Sequence, residues 1–221
     1  MIEFRPHEVK AFLTVMASPY TLSKASVAIG ADSPLVLAST SRYRAELLRR
    51  FGVPFVQEAP EVDEDELPGE APEARARRLA SLKARAVAER HPRQWVLGSD
   101  QVAYCGGQIL HKPGSPEANI EQLLALSGRE AGFATAIALV SGATELIAVD
   151  LTVVQFRKLS RDEAERYVAA EPAHDCAGGF KVEGLGISLF ESVRNDDPTA
   201  LVGLPLITLR RLLAEAGSAV P

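Results

Sequence analysis

The stretch LVLASTSRYRAELLRRFG, Leu35 to Gly52, sets an apolar run, a hydroxyl-rich turn and an amphipathic segment within eighteen residues. Leu35 to Ala38 have the continuous apolar character of a covered parallel strand. Ser39, Thr40 and Ser41 follow, with side chains suited to cap a helix and to bind anion oxygens. Leu47, Leu48 and Phe51 then recur at helical spacing, and Arg44, Arg49 and Arg50 add positive charge. The free amides of such a helix's first turn point at any negative ligand above the turn. Strand-turn-helix units with Ser or Thr caps are also common as plain structure, so the rest of the chain has to decide.

Downstream, Pro54–Gln57 reads as a second short strand leading into the acidic loop Ala59–Glu70, which Pro60 and Pro68 keep from being helical throughout. Ala71–Arg90 reads as a helix with Leu79, Leu82 and Val87 on one face, Pro72 near its start and Lys83 projecting from it. Trp95–Leu97 is the next buried strand, and LGSDQV, Leu97 to Val102, sets Asp100 just past it. Gly106-Gly107 marks a hairpin turn. Lys112 lies in a proline-bounded loop before a helix running from Ser115 or Pro116 to Gly128. Phe133–Val140 and Leu146–Phe156 read as antiparallel strands. Ser160 and Glu163 form a capping-box pattern for a helix ending before Pro172. The glycine-dense loop Cys176–Gly186 precedes a strand at Ile187–Phe190, and a last helix begins near Leu204-Pro205. Alternating strands and helices with an antiparallel middle section indicate the α/β class, a mixed sheet flanked by helices.

With 221 residues, 47% hydrophobic and 24% charged, the chain can bury a core as one two-lobed domain or two small ones. No apolar run reaches bilayer-spanning length, which argues against a membrane protein. The net charge of −5 argues against a nucleic acid polymer as partner, whereas a small phosphorylated ligand needs only a local patch of cations. Cys105 and Cys176 show neither metal-ligand nor disulfide-framework spacing and fit a reducing cytoplasm; Cys176 is the one to check for proximity to a site. Residues 1–33 read as a peripheral N-terminal extension without signal-peptide layout, with Met16 an alternative start, and residues 34–217 as the functional domain.

Arg44, Lys83, Lys112 and Lys181 sit in loops and near element ends, and together they would clamp a triphosphate. Asp100 and Glu64 would complement them as the carboxylate pair that holds Mg²⁺ or Mn²⁺ beside phosphates. The bland alternatives are solvated helix-face charges at Arg44 and Lys83 and a solvated acidic loop around Glu64. Asp100, between Ser99 and Gln101 after a strongly apolar strand, demands a reason. No GxxxxGK[ST] and no GxSxG occurs, and His7, His91, His111 and His174 show no triad or metal spacing, which marks them as structural or peripheral.

The ordered segments LVLASTSRYRAELL, PEVDE, RLASLKA, GSDQV, LHKP, LSGRE, FKVEGLG and LVGLPL resemble the Maf family of nucleotide pyrophosphatases, described as septum-formation inhibitors. The resemblance implies a two-lobed Maf/ITPase-like fold with a central cleft. It also implies a cytoplasmic, homodimeric enzyme that cleaves a nucleoside triphosphate between the α and β phosphates with a divalent cation. By resemblance Asp100 is the proton acceptor, Ser39, Arg44, Lys83 and Lys112 surround the phosphates, and Glu64 with Asp100 holds the metal. The family's first motif commonly reads S-x-S-P-x-R-R; here Arg42 replaces the Pro and Ala45 the second Arg, while Arg44 keeps the first.

Tyr43, Gln101 and Glu183 resemble the family's selectivity set. They match the branch acting on 7-methyl-GTP (Trp, Gln, Glu) better than the dTTP/UTP branch (Arg, Thr, Gln). N7-methylated guanine is cationic, so an aromatic face such as Tyr43 can stack on it with a cation–π contribution of about 0.5 to 2 kcal/mol. A Glu183 carboxylate suits the guanine N1–H and N2–H₂ edge. The alternatives are a dTTP/UTP pyrophosphatase and a nucleotide-binding regulator of septum formation that does not turn over.

Overall fold

The computed structural model describes residues 28–218, so Met16, His7 and most of the expected N-terminal extension lie outside the described residues. Within them the opening stretch folds as read. β1 is Leu35–Ala38 and α1 is Arg42–Phe51, capped by the Ser41 hydroxyl at the Arg44 amide and closed by Gly52 in the left-handed conformation.

The sheet has seven strands. β2 (Phe55–Glu58) and β1 run parallel to each other and to the start of β3 (Val96–Cys105). β4 (Gln108–Leu110), β5 (Glu130–Ser141), β6 (Thr144–Phe156) and β7 (Phe190–Arg194) are antiparallel to their neighbours. The order is β2-β1-β3-β5-β6-β7, with β4 also on β3.

β3 is longer than the three-residue strand expected from Trp95–Leu97, and Asp100 lies in its middle rather than past its end. β1 pairs only with Val96 to Gly98 and β4 only with Ala103 to Cys105. That edge of β3 is therefore unpaired from Ser99 to Val102, while β5 holds the other edge throughout. The side chains of a strand alternate between faces, so residues in this gap are reachable from both sides of the sheet.

The two faces are packed differently. α2 (Pro72–Ala88) buries Ala76, Leu79, Ala80, Lys83, Ala84 and Val87 against Val36, Val96, Ala134, Ala136 and Ala138. The expected apolar position Leu82 faces outward instead. This stripe of alanines fits a close approach, and Gly98 permits it: a Cβ there would collide with the Ala80 carbonyl and stand 2.9 Å from Ala84 Cβ. On the opposite face α1 and α5 (Leu206–Glu215) cover Leu35, Leu37, Leu97, Ile137 and Leu139.

A second lobe gathers α3 (Pro116–Leu126), α4 (Arg161–Ala170) and the glycine loop around Phe133, Phe156, Phe180 and Phe190. Their rings meet edge to face at 4.8 to 5.8 Å. The capping box of α4 is present as the sequence reads, Ser160 and Glu163 each bonding the other's amide. The strand expected at Ile187–Phe190 is instead a 3₁₀ turn, Leu185–Leu189, with the strand following it. The Gly186 amide donates both to the Lys181 carbonyl and to the Glu171 carboxylate, which curls the backbone out of extension.

Two outcomes are expected from this packing. Gly98→Ala should destabilise by about 1–3 kcal/mol or more in urea unfolding, because backbone, not a flexible side chain, occupies the space. Asp150 lies on β6 near buried Asp197, and burial plus that negative neighbour raise its carboxyl to about 6. The folded protein thus holds this proton more tightly than the unfolded chain. The contribution is fully present below the unfolded value near 3.8 and is lost as pH rises through about 6. Asp150→Asn should therefore raise the urea midpoint at pH 7.5 and change it less at pH 4.5.

Candidate active site

The gap in the β3 edge opens into a cleft of about 800 Å³ whose lining includes Ser39, Arg44, Glu64, Lys83, Asp100 and Lys112. At its floor the Lys83 ammonium lies between two carboxylates, 2.7 Å from Asp100 Oδ1 and 2.8 Å from Glu64 Oε2. Lys83 stands in the apolar stripe of α2 and is only 6% exposed, so it is not a solvated helix-face charge. Asp100 is equally buried. Burial pushes its carboxyl up from its ordinary value, while the charges of Lys83 and Arg44 pull it back.

Glu64 reaches Lys83 because α2 holds the acidic loop in place. Arg75 donates to the Glu64 carbonyl at 3.0 Å. Arg78 grips the Glu70 carboxylate with two bonds of 2.7 Å and donates to the Asp65 carbonyl. Glu64 itself stays half exposed, its Oε2 on Lys83 and the rest open to the cleft.

Above this floor the Ser39–Ser41 turn is pinned from β2, where the Gln57 amide donates to the Ser39 carbonyl at 2.7 Å. The buried Ser39 hydroxyl accepts from the Ser41 amide and from Arg44. Arg44 also donates through Nε to the Gly203 carbonyl at 3.0 Å, the same oxygen that takes the Ser99 hydroxyl at 2.9 Å. Gly203, at φ +116°, turns this carbonyl inward. The first-turn amides of Arg42 and Tyr43 have no intrahelical acceptor and border the same cleft.

Tyr43, Arg44, Gln101 and Lys112 also line a smaller adjoining cavity of about 160 Å³ that includes Phe180 and Glu183. Lys112 is exposed at this seam. The two cavities thus meet along these shared residues, one bordered by cations and carboxylates, the other by an aromatic ring, an amide and a carboxylate.

Lys181 lines the smaller cavity with Arg44 and Lys112, but its ammonium is already engaged, donating to the Pro172 carbonyl and lying 4.0 Å from Asp175. Arg42 folds its guanidinium over the Tyr43 ring, 4.8 Å from the centroid, and donates to the Tyr43 hydroxyl at 2.8 Å. Ala45 is packed into the core beneath α1, so that position carries no charge to the cleft. Cys176 does border the smaller cavity, but burial pushes its thiol up to about 11, which keeps it protonated at neutral pH. His91 bonds Glu58 away from the cleft, and His111 stands at the cleft rim.

Gln57, Arg75, Ser99 and Gly203 were not singled out from the sequence. Each acts through a partner distant along the chain, and only the glycine of LVGLPL carried a local signal. Among the described residues, no three His, Cys, Asp or Glu side chains group to cage a metal. Two carboxylates in a cleft bordered by cations are nevertheless a donor set that suits Mg²⁺ or Mn²⁺, ions that take part of their shell from water or from ligand oxygens. Among the described residues, no helix is long and apolar enough to cross a membrane.

Residues 34–216 match the family model described as Maf-like protein. The 7-methyl-GTP pyrophosphatase of Xanthomonas oryzae pv. oryzae is 58% identical over 187 residues, 85% of this chain and 98% of its own length. The protein of that name from Pseudomonas putida is 51% identical over 85% of this chain and 99% of its own. The one from Polaromonas sp. is 48% identical over 92% and 94%. Among solved structures, the Staphylococcus aureus Ham1 protein aligns at 17% identity and a TM-score of 0.47, over 82% of this chain and 98% of its own.

Removing one member of the buried pair leaves the other charged and unpartnered. Lys83→Met is expected to cost about 3 kcal/mol of stability at pH 7.5. Adding Asp100→Asn should recover part of that loss, a non-additivity that a urea-unfolding double-mutant cycle reads directly.

Proposed function

The chain belongs to the Maf-like family, and from that membership we propose that it hydrolyses 7-methyl-GTP between the α and β phosphates, releasing the monophosphate and pyrophosphate. The observation that carries this is the pair of joined cavities, with Lys83, Asp100 and Glu64 at the floor of one and Gln101 and Glu183 bordering the other. Relatives named 7-methyl-GTP pyrophosphatase, 48% to 58% identical over most of their length, support the same substrate.

In this mechanism Ser39, the α1 amides, Arg44 and Lys112 receive the phosphates. Lys83 shifts from the carboxylates toward phosphate oxygens as the substrate enters, which leaves Asp100 free to accept a proton. The freed Asp100 carboxylate takes a proton from water as that water attacks the α-phosphorus in line. The new P–O bond forms as the bond to the α–β bridging oxygen breaks, and pyrophosphate leaves with the bonding pair. The raised carboxyl of Asp100 strengthens it as a base relative to an exposed aspartate.

Glu64 and Asp100 would hold a divalent cation, which when bound neutralises phosphate charge. Tyr43 offers its ring to the cationic base, with Arg42 already against it. The Arg42 guanidinium and the cationic base thus compete for the Tyr43 π system, which loosens discrimination for the methylated base. A homodimer and a cytoplasmic setting belong to the same proposal; sedimentation reads the former.

A panel of triphosphates with Mg²⁺ or Mn²⁺, scored by pyrophosphate release, tests the assignment. 7-methyl-GTP is expected to turn over faster than UTP and dTTP, and the reverse order would refute the substrate. Asp100→Asn should lower kcat by about 10²- to 10⁴-fold, and normal turnover by that variant would remove Asp100 from its role.

A further inference from the structure

The Gln101 side chain sits where the two cavities join, and its surroundings fix which end of the amide faces them. Nε2 lies 2.9 Å from Thr135 Oγ1, 3.0 Å from the Ala200 carbonyl and 3.2 Å from the Leu201 carbonyl. Carbonyl oxygens only accept, so the end that meets them is the NH₂. Thr135 adds a third acceptor to these two carbonyls. Its hydroxyl, fully buried, lies 3.0 Å from the same Ala200 carbonyl and gives its hydrogen there, which turns its lone pairs to Gln101.

Thr135 is directly opposite Gln101 in the β3–β5 register, so the strand pairing itself sets this contact. The carbonyls are held as firmly. Asp197, 1% exposed, accepts from the Thr199 amide at 2.9 Å and from the Ile207 amide at 2.7 Å, which ties the Ala200–Val202 turn to the start of α5.

We propose that Thr135 is a positioning residue for base selection, locking the Gln101 amide so that its Oε1, rather than its NH₂, is presented to the base. Glu183 borders the same cavity with a second acceptor. Two acceptors suit a base edge that carries adjacent donors, as the guanine N1–H and N2–H₂ do. They oppose uracil and thymine, whose single N3–H is flanked by two carbonyls. A rotated amide would reverse this, because its NH₂ would bond a pyrimidine carbonyl. The inference rests on the 7-methyl-GTP assignment and adds to it the residue that sets the polarity of the pocket.

Thr135→Val keeps the volume and the strand preference of the side chain and removes the hydroxyl, while Thr135→Ser keeps the hydroxyl. KM and kcat for 7-methyl-GTP and UTP are measured for the wild type and each variant, alongside a thermal melt. Thr135→Val is expected to raise KM for 7-methyl-GTP about three- to tenfold, leave kcat within about twofold, and shrink the 7-methyl-GTP over UTP ratio of kcat/KM by a similar factor. Thr135→Ser should retain the wild-type ratio. Thr135→Ala, which makes no demand on space, provides the same loss of hydroxyl should the Val variant melt early. An unchanged ratio in folded Val or Ala variants overturns the positioning role and leaves the substrate assignment standing. A wild type with no preference for 7-methyl-GTP over UTP overturns the assignment and this inference together.

Discussion

The Lys83 ammonium, buried and shared between Asp100 and Glu64, is the interaction on which the site depends. A buried carboxylate needs a partner, and this one has it only because α2 lies flat on the sheet. That approach in turn requires Gly98 and the alanines of β5 and α2, so the packing of small residues and the placement of charge are one constraint. The same lysine is a natural ligand for phosphate oxygens. In the proposed reaction the lysine exchanges its carboxylate partners for phosphate oxygens, so the ammonium keeps anionic partners while Asp100 is released to act as a base.

The second organising feature is topological. β1 ends at Ala38 and β4 begins its pairing at Ala103, which leaves a window in the edge of β3. Through it Asp100 faces the α2 side and Gln101 the α1/α5 side, which is how the proposed function divides chemistry and base selection between adjacent residues. The inward carbonyls of Ala200, Leu201 and Gly203 complete the arrangement by holding Gln101, Thr135, Ser99 and Arg44. A stretch of backbone acceptors thereby organises side chains from three separate elements.

Much of the fold was legible because local signals were strong. The capped helix after Leu35–Ala38, the Ser160–Glu163 box and the β5–β6 hairpin all appear where the residues place them. What was hidden has a common cause. GSDQ reads as loop because polar residues in mid-strand are tolerable only with partners, and those partners lie at Lys83, Gly203 and Thr135. Likewise the acidic run reads as solvated until Arg75 and Arg78 are seen to hold it. Lys83 stands in register with the buried stripe of α2, yet a lysine there looks like surface until Asp100 is placed beneath it.

The proposed reaction commits to one direction of attack, with the base beside Gln101 and Asp100 activating water for the α-phosphorus. Hydrolysis in ¹⁸O-enriched water, with both products analysed by mass, measures it. The expected result is a single ¹⁸O in the nucleoside monophosphate and none in the pyrophosphate. Label in the pyrophosphate would place the attack on the β-phosphorus and contradict the role assigned to Asp100.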